Sequence, residues 1–120
     1  MKVAVTAMAD SPEAQMDPRF GRAKWFVMID DTTGAWEAVD NEQNLTAAQG
    51  AGIQAAATVV NAGGEVLISG HCGPKAFKAL TAAGVAVYRM PGGCTVATAV
   101  EAYRNGTLKK LDDADVEGHW

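Results

Sequence analysis

The stretch Val66-Leu67-Ile68-Ser69-Gly70-His71-Cys72-Gly73-Pro74-Lys75-Ala76-Phe77 constrains the fold more than any other part of the chain. Its apolar start is the mark of a strand buried on both faces, as in a parallel sheet. Gly70 and Gly73 bracket a short loop. Pro74 stands where proline suits the first turn of a helix, because its missing N–H is not needed there. Phe77 and Leu80 then share one helical face. A buried strand thus runs through a glycine loop into a helix N-terminus. Such a junction offers backbone N–H groups and the positive end of a helix dipole, which together favour an anion. His71 and Cys72 sit in the loop and add metal-capable side chains.

The rest of the chain supplies a sheet for that strand. Residues 2–7, 25–29 and 35–40 read as strands, with Asp30-Asp31-Thr32-Thr33-Gly34 as a hairpin turn. A helix opens at Gly50-Ala51-Gly52, with Ile53, Ala56, Ala57 and Val60 on one face, and stops at Asn61-Ala62-Gly63-Gly64. Strand four covers 66–69, the second helix 74–83 and strand five 85–88. Thr95 is the expected N-cap of a third helix, with Val96, Val100 and Tyr103 inward and Asn105-Gly106 at its end. The expectation is an α/β fold of order β-β-β-α-β-α-β-α, with a mixed five-stranded sheet and three helices. A length of 120 residues suits one domain. Residues 1–108 are expected to form it, and 109–120 to be a polar, mobile tail.

This order gathers certain loops. If the first strands pair as consecutive hairpins and later strands return by right-handed crossovers, the loops 10–24, 41–49, 70–73 and 89–94 leave the same sheet edge. The helix N-termini point there too, and ligands of open α/β sheets bind at that edge. Arg19, Arg22, Lys24, Lys75 and Arg89 collect there, half of the 10 lysines and arginines. The loop 10–24 is long, polar and cation-bearing, which reads as a mobile lid over an anion, pinned by Phe20. The protein as a whole is at −4, and its body at −2 once the acidic tail is set aside. That excludes the dominant basic face that nonspecific nucleic-acid binding needs. No apolar run approaches the roughly 18 residues of a membrane span. The start of the chain enters a strand pattern at once and shows no signal-peptide pattern, so a cytoplasmic location without a membrane partner is expected.

Other motifs point nowhere sharper by themselves. Gly50-Ala51-Gly52-Ile53-Gln54-Ala55 has the letters of a dinucleotide fingerprint, but it does not leave a buried strand and no acidic residue sits at the end of a following one. Close helix packing, or N–H groups for another anion, explains it better. Cys72 and Cys94 make neither a disulfide scaffold nor a CxxC pair. With 2 cysteines and 2 histidines, a closed four-ligand zinc site is not expected. A soft metal such as copper has Cys72, Cys94 and His71 as candidate ligands. No nucleophile–base arrangement stands out, so the chain does not read as an enzyme.

Taken in order, Asp17-Pro18-Arg19-Phe20-Gly21-Arg22-Ala23, Gly50 to Ala56, Gly73 to Phe77, Ala83-Gly84-Val85 and Thr95-Val96 resemble the dinitrogenase iron–molybdenum cofactor biosynthesis family. The resemblance runs from Met1 to about Leu108. It implies a ribonuclease H-like fold and a carrier of metal–sulfur clusters. For a small single-domain member like this one it implies an anionic molybdenum–copper sulfide cluster without ordinary covalent anchoring. The site expected from rim and resemblance together is Arg19, Phe20, Gly21 and Arg22, Gly50, Ala51 and Gly52, Gly70, His71, Cys72 and Gly73, Lys75, and Gly92 and Gly93. In it Arg19, Arg22 and Lys75 neutralise the cluster, glycine-loop N–H groups contact its sulfides, and Phe20 with residues 16–22 covers it. Gln49 stands where some relatives have histidine, which removes a possible ligand. A monomer that meets an unidentified acceptor protein is expected. A metal-free protein-interaction module of the same fold, or an enzyme on a small phosphorylated substrate, are the alternatives.

Overall fold

A computed structural model describes residues 1–41, 51–90 and 92–111. The elements are β1 (Lys2–Ala7), β2 (Trp25–Asp30), β3 (Trp36–Asp40), α1 (Ala51–Asn61), β4 (Val66–Ser69), α2 (Pro74–Ala82), β5 (Ala86–Arg89), α3 (Val96–Arg104) and β6 (Lys109–Lys110). They build a 6-stranded sheet of order β3-β2-β1-β4-β5-β6. β1, β2 and β3 pair antiparallel in sequence, and β4 and β5 run parallel to β1. The mixed α/β architecture and element order are as expected. The strand count is not, because Lys110 and Lys109 pair antiparallel with Tyr88 and Arg89. The gain is physical: an otherwise open edge of β5 is covered, and Leu111 buries its side chain while its N–H bonds the Val87 carbonyl at 2.8 Å. A strand of 2 residues carries no periodicity to read. Residues 112–120, the rest of the expected tail, lie outside the described residues.

Strand alternation sorts the core into two layers. Ala4, Phe26, Met28, Leu67 and Val87 face α1 and α2. Val3, Val5, Val27, Ile29, Val66 and Ile68 face α3. β1 and β4 are covered on both sides, which is why they read as continuous apolar runs. α2 buries Ala76, Phe77 and Leu80, and α3 buries Val96, Ala99 and Val100, with Thr95 accepting the Thr98 N–H at 3.2 Å as the expected N-cap. α1 is rotated from its expected face. Ala55, Ala56 and Val59 are buried, while Ile53 is 46% and Val60 37% exposed. Small side chains let this helix lie close to the sheet and to α2, so the alanines, not the larger residues, take the interior.

The crossovers fix the direction of every helix. Glu65 N–H bonds the Lys2 carbonyl at 2.9 Å, and Lys2 Nζ reaches the Ala62 carbonyl at 3.2 Å. The end of α1 therefore lies beside the start of β1, and its beginning lies toward the opposite edge, where β1, β4 and β5 end. α2 and α3 also start from that edge. At the other end, the Asp30 carboxylate accepts the Thr32 and Thr33 N–H groups at 2.8 and 3.1 Å, which closes the hairpin turn. These bonds hold its carboxyl below the usual carboxylate range. No helix among the described residues is long and apolar enough to cross a membrane.

The segment expected to be a mobile lid is built into this edge. Met16 bridges Ala7, Gln15 bridges Thr95 and Arg19 bridges His71. Met16 and Phe20 are buried, and the Phe20 ring packs on Phe26 with centroids 5.6 Å apart. Pro18 passes so close to Gly70 that a Cβ there would lie 2.7 Å from the Pro18 carbonyl oxygen and from its Cβ. Gly70→Ala should therefore cost about 1–3 kcal/mol, the usual range for overpacking a fixed backbone contact. Urea unfolding of this variant beside Gly84→Ala, whose site is open at positive φ, separates steric crowding from backbone strain.

Candidate functional site

The C-terminal sheet edge carries a cleft of about 460 Å³, lined among the described residues by Met8, Asp17, Arg19, Arg22 and Lys24. Its floor is built from the crossing segment. Asp17 is only 3% exposed. Its N–H bonds the Thr6 carbonyl at 2.9 Å, and its own carbonyl accepts the Thr6 hydroxyl. Its carboxylate takes the Arg19 backbone N–H at 2.9 Å, Arg19 Nε at 3.3 Å and Arg19 Nη2 at 3.4 Å. A buried carboxylate is costly unless paired and hydrogen-bonded. Here it is both, and in return it holds the guanidinium at the cleft. On the far wall, Asn41 N–H bonds the Lys24 carbonyl at 2.8 Å and its amide bonds the Ala23 carbonyl at 2.8 Å. Those bonds fix the turn from which Arg22 and Lys24 project.

The expected cations therefore divide. Arg19, Arg22 and Lys24 line the cleft. Arg89 turns back, its Nε 3.3 Å from the Gly70 carbonyl. Lys75 is exposed in the first turn of α2, outside the described lining. The glycines divide too. Gly70 serves the close passage of Pro18, and Gly92, at φ +99, lies within van der Waals reach of the same proline. Gly93 is at φ +76 in open space. Gly21 and Gly73 are buried, and Gly73 caps α2 without any side-chain hydrogen bond, leaving that helix start to backbone groups. Ala51 and Gly52 open α1; Gly50 and the loop 42–49 lie outside the described residues. Phe20 does not face the cleft as expected, because the hydrophobic effect takes its ring into the core on the α1 and α2 side.

The three candidate metal ligands are not brought together. Cys72 is buried in the layer under α1 and α2, whereas Cys94 packs on the layer under α3. The sheet edge lies between them, and neither is in a disulfide. His71 pairs with the crossing segment, its N–H on the Pro18 carbonyl at 2.7 Å and its carbonyl accepting from Phe20 N–H at 3.2 Å. Among the described residues no group of three or more His, Cys, Asp or Glu side chains is placed to hold a metal ion. Burial pushes the Cys94 thiol up from its ordinary value, which lowers its thiolate fraction at neutral pH. Asp17 is the lining residue that residue-by-residue reading missed; it lay inside a quoted motif, but nothing in its neighbourhood showed that it would be buried.

The described structure is thus a mixed α/β fold with three cationic side chains in a cleft at the strand ends. Comparison places the chain in a family. The family model described as dinitrogenase iron-molybdenum cofactor matches residues 1–106, and the chain belongs to that family. The structure is similar to the apo form of the orange protein from Desulfovibrio gigas, at 42% identity over 96% of each chain with a TM-score of 0.93. It is also similar to a Thermotoga protein described as NifB and assigned to the DUF35 family, at 35% identity over 98% of each chain with a TM-score of 0.83. No curated protein matches. These relationships support a cofactor-binding or carrier role in general.

The separated thiols make a direct prediction. At pH 7.5 Cys94 should react with a disulfide reagent more slowly than a free cysteine, and Cys72 only on unfolding. Reaction kinetics of the wild type, Cys94→Ser and Cys72→Ser in native buffer and in urea check this. Two equally fast native phases contradict the placement.

Proposed function

We propose that the chain carries an anionic molybdenum-containing sulfide cluster, the molybdenum–copper form being the one its family resemblance suggests, with the cleft of Met8, Asp17, Arg19, Arg22 and Lys24 as the seat. The observation that carries this reading is the charge of the cleft: three cations against one carboxylate, on a protein that is otherwise acidic. A cation about 4 Å from one cluster charge contributes on the order of 4 kcal/mol at a surface-like effective dielectric, before desolvation. The Arg19–His71 bridge sets the loop before α2 next to the cleft, and its backbone adds to the anion's surroundings. Similarity to the orange protein and to the Thermotoga protein supports a cluster as cargo. On this reading the protein is a cytoplasmic, monomeric carrier on a ribonuclease H-like scaffold, not an enzyme. It passes its cargo to an acceptor protein.

The test is reconstitution. Apo-protein mixed with tetrathiomolybdate and copper(I) should give a coloured species whose metals stay with the chain through desalting. Arg22→Ala with Lys24→Ala should retain several-fold less metal, and wild-type retention should fall as salt rises. Arg19 is left in place in that variant because its removal strands the Asp17 carboxylate. Cys72→Ser and Cys94→Ser should each load nearly as the wild type does. Wild-type protein that returns only the spectra of the free reagents, with no metal after desalting, ends the proposal. A serine variant that is empty while the double alanine variant loads normally replaces electrostatic retention with thiolate ligation.

A further inference from the structure

The structure sorts the methionines near the edge. Met16 is 2% exposed, and Met90 packs on the layer under α3. Met8 is 52% exposed and lines the cleft among Arg19, Arg22 and Lys24. It is not at a loose tip. Its N–H bonds the Gln15 carbonyl at 2.9 Å, and the preceding residue Ala7 bridges Met16. A methionine side chain thus lines a cation-lined cleft from a hydrogen-bonded backbone position.

That combination discriminates between anions. An oxyanion keeps a tightly bound hydration shell and needs a hydrogen-bond donor for each oxygen it buries. Apolar surface at the mouth covers such oxygens without replacing their water. An anion of the same charge with sulfide on its surface is larger, more polarisable and more weakly hydrated. It loses less on contact with apolar surface, and it gains dispersion against a polarisable sulfur. We infer that Met8 is a specificity-determining residue of the cleft, selecting sulfide-surfaced anions over oxyanions of equal charge and shape. The cations supply attraction common to both classes; Met8 supplies the difference. No bond from the thioether to a metal is required. This inference rests on the cargo reading above.

Tetrathiomolybdate and molybdate are both tetrahedral dianions, which makes them a matched pair of probes. Calorimetric titration of each into wild type, Met8→Gln and Met8→Leu tests the assignment. Wild type should prefer tetrathiomolybdate by about tenfold, and Met8→Gln should cut that preference about fivefold by weakening tetrathiomolybdate alone, changes on the scale of a few good dispersion contacts. Met8→Leu, which keeps the apolar surface, should retain most of the preference. A glutamine variant with the wild-type ratio, or one that weakens both anions in parallel, overturns the role of Met8 and leaves the cargo reading standing. So does a leucine variant that behaves like glutamine. Wild type that binds neither anion, or that prefers molybdate, overturns both.

Discussion

The hydrogen bond from His71 N–H to the Pro18 carbonyl, 2.7 Å long, is the contact on which the C-terminal edge depends. Pro18 has no N–H to give, so its carbonyl is the group through which it can join the strand end. The contact is possible only because Gly70 has no side chain: any Cβ there would overlap Pro18 backbone. From this point the segment is fixed in both directions. Toward the N-terminus it sets Asp17 on Thr6 and Met16 on the Cys94 carbonyl; toward the C-terminus it drops Phe20 into the core. What looks in sequence like a loop is therefore a strand-like strap across the ends of β1, β4 and the start of α3. The cleft exists because that strap presents its side chains from a hydrogen-bonded backbone.

The hydrogen bonds to Asp17 matter for how Arg19 is placed. Long cationic side chains lose rotamer freedom when they bind, at up to about 2 kcal/mol each. Arg19 is already held by the Asp17 carboxylate through its backbone and both guanidinium contacts, so part of that entropy is lost on folding rather than on binding. The cost is one negative charge among three cations. Asp17 lies beneath the surface at 4% side-chain exposure, while Arg19 remains 47% exposed. The cation is nearer to solvent than the carboxylate that orients it.

Much of the architecture was legible in the sequence. The apolar run opening 66–69 marked a strand buried on both faces, residues 2–7 read as a strand, and the glycine and proline punctuation located the second and third helices. Placement of Arg19, Arg22 and Lys24 at the carboxyl edge followed from the crossover rule, whereas Arg89 and Lys75 lie outside the cleft lining and the loop 42–50 lies outside the described residues. What was not legible has specific causes. Ile53 and Val60 are hydrophobic at helical spacing, yet α1 turns its alanines inward, because the depth available between sheet and α2 is a tertiary quantity. Lys109 and Lys110 have no strand signal, since a short edge strand takes its stability from the exposed edge it covers. Phe20 was seen as an anchor and also as a cover for cargo; burial in the core leaves it only the first role. Cys72 and Cys94 are separated by the sheet, a fact that spacing along the chain does not contain.

That separation bears on the kind of protein a carrier of this design can be. A cluster bound by thiolates is released only when strong metal–sulfur bonds break or exchange. A cluster held by charge and backbone dipoles at an open edge is released by competing charge, including that of an acceptor surface. Three of this protein's cations, Arg19, Arg22 and Lys24, line the cleft, while the chain as a whole carries a net charge of −4. Under the proposed carrier function, a complementary acceptor would approach that cleft, and the surface proposed to hold the cargo would also be the surface of transfer. On that proposal, salt-sensitive retention and hand-over would be two consequences of one charge distribution, and the sulfide selectivity inferred for Met8 would keep oxyanions out of the same cleft.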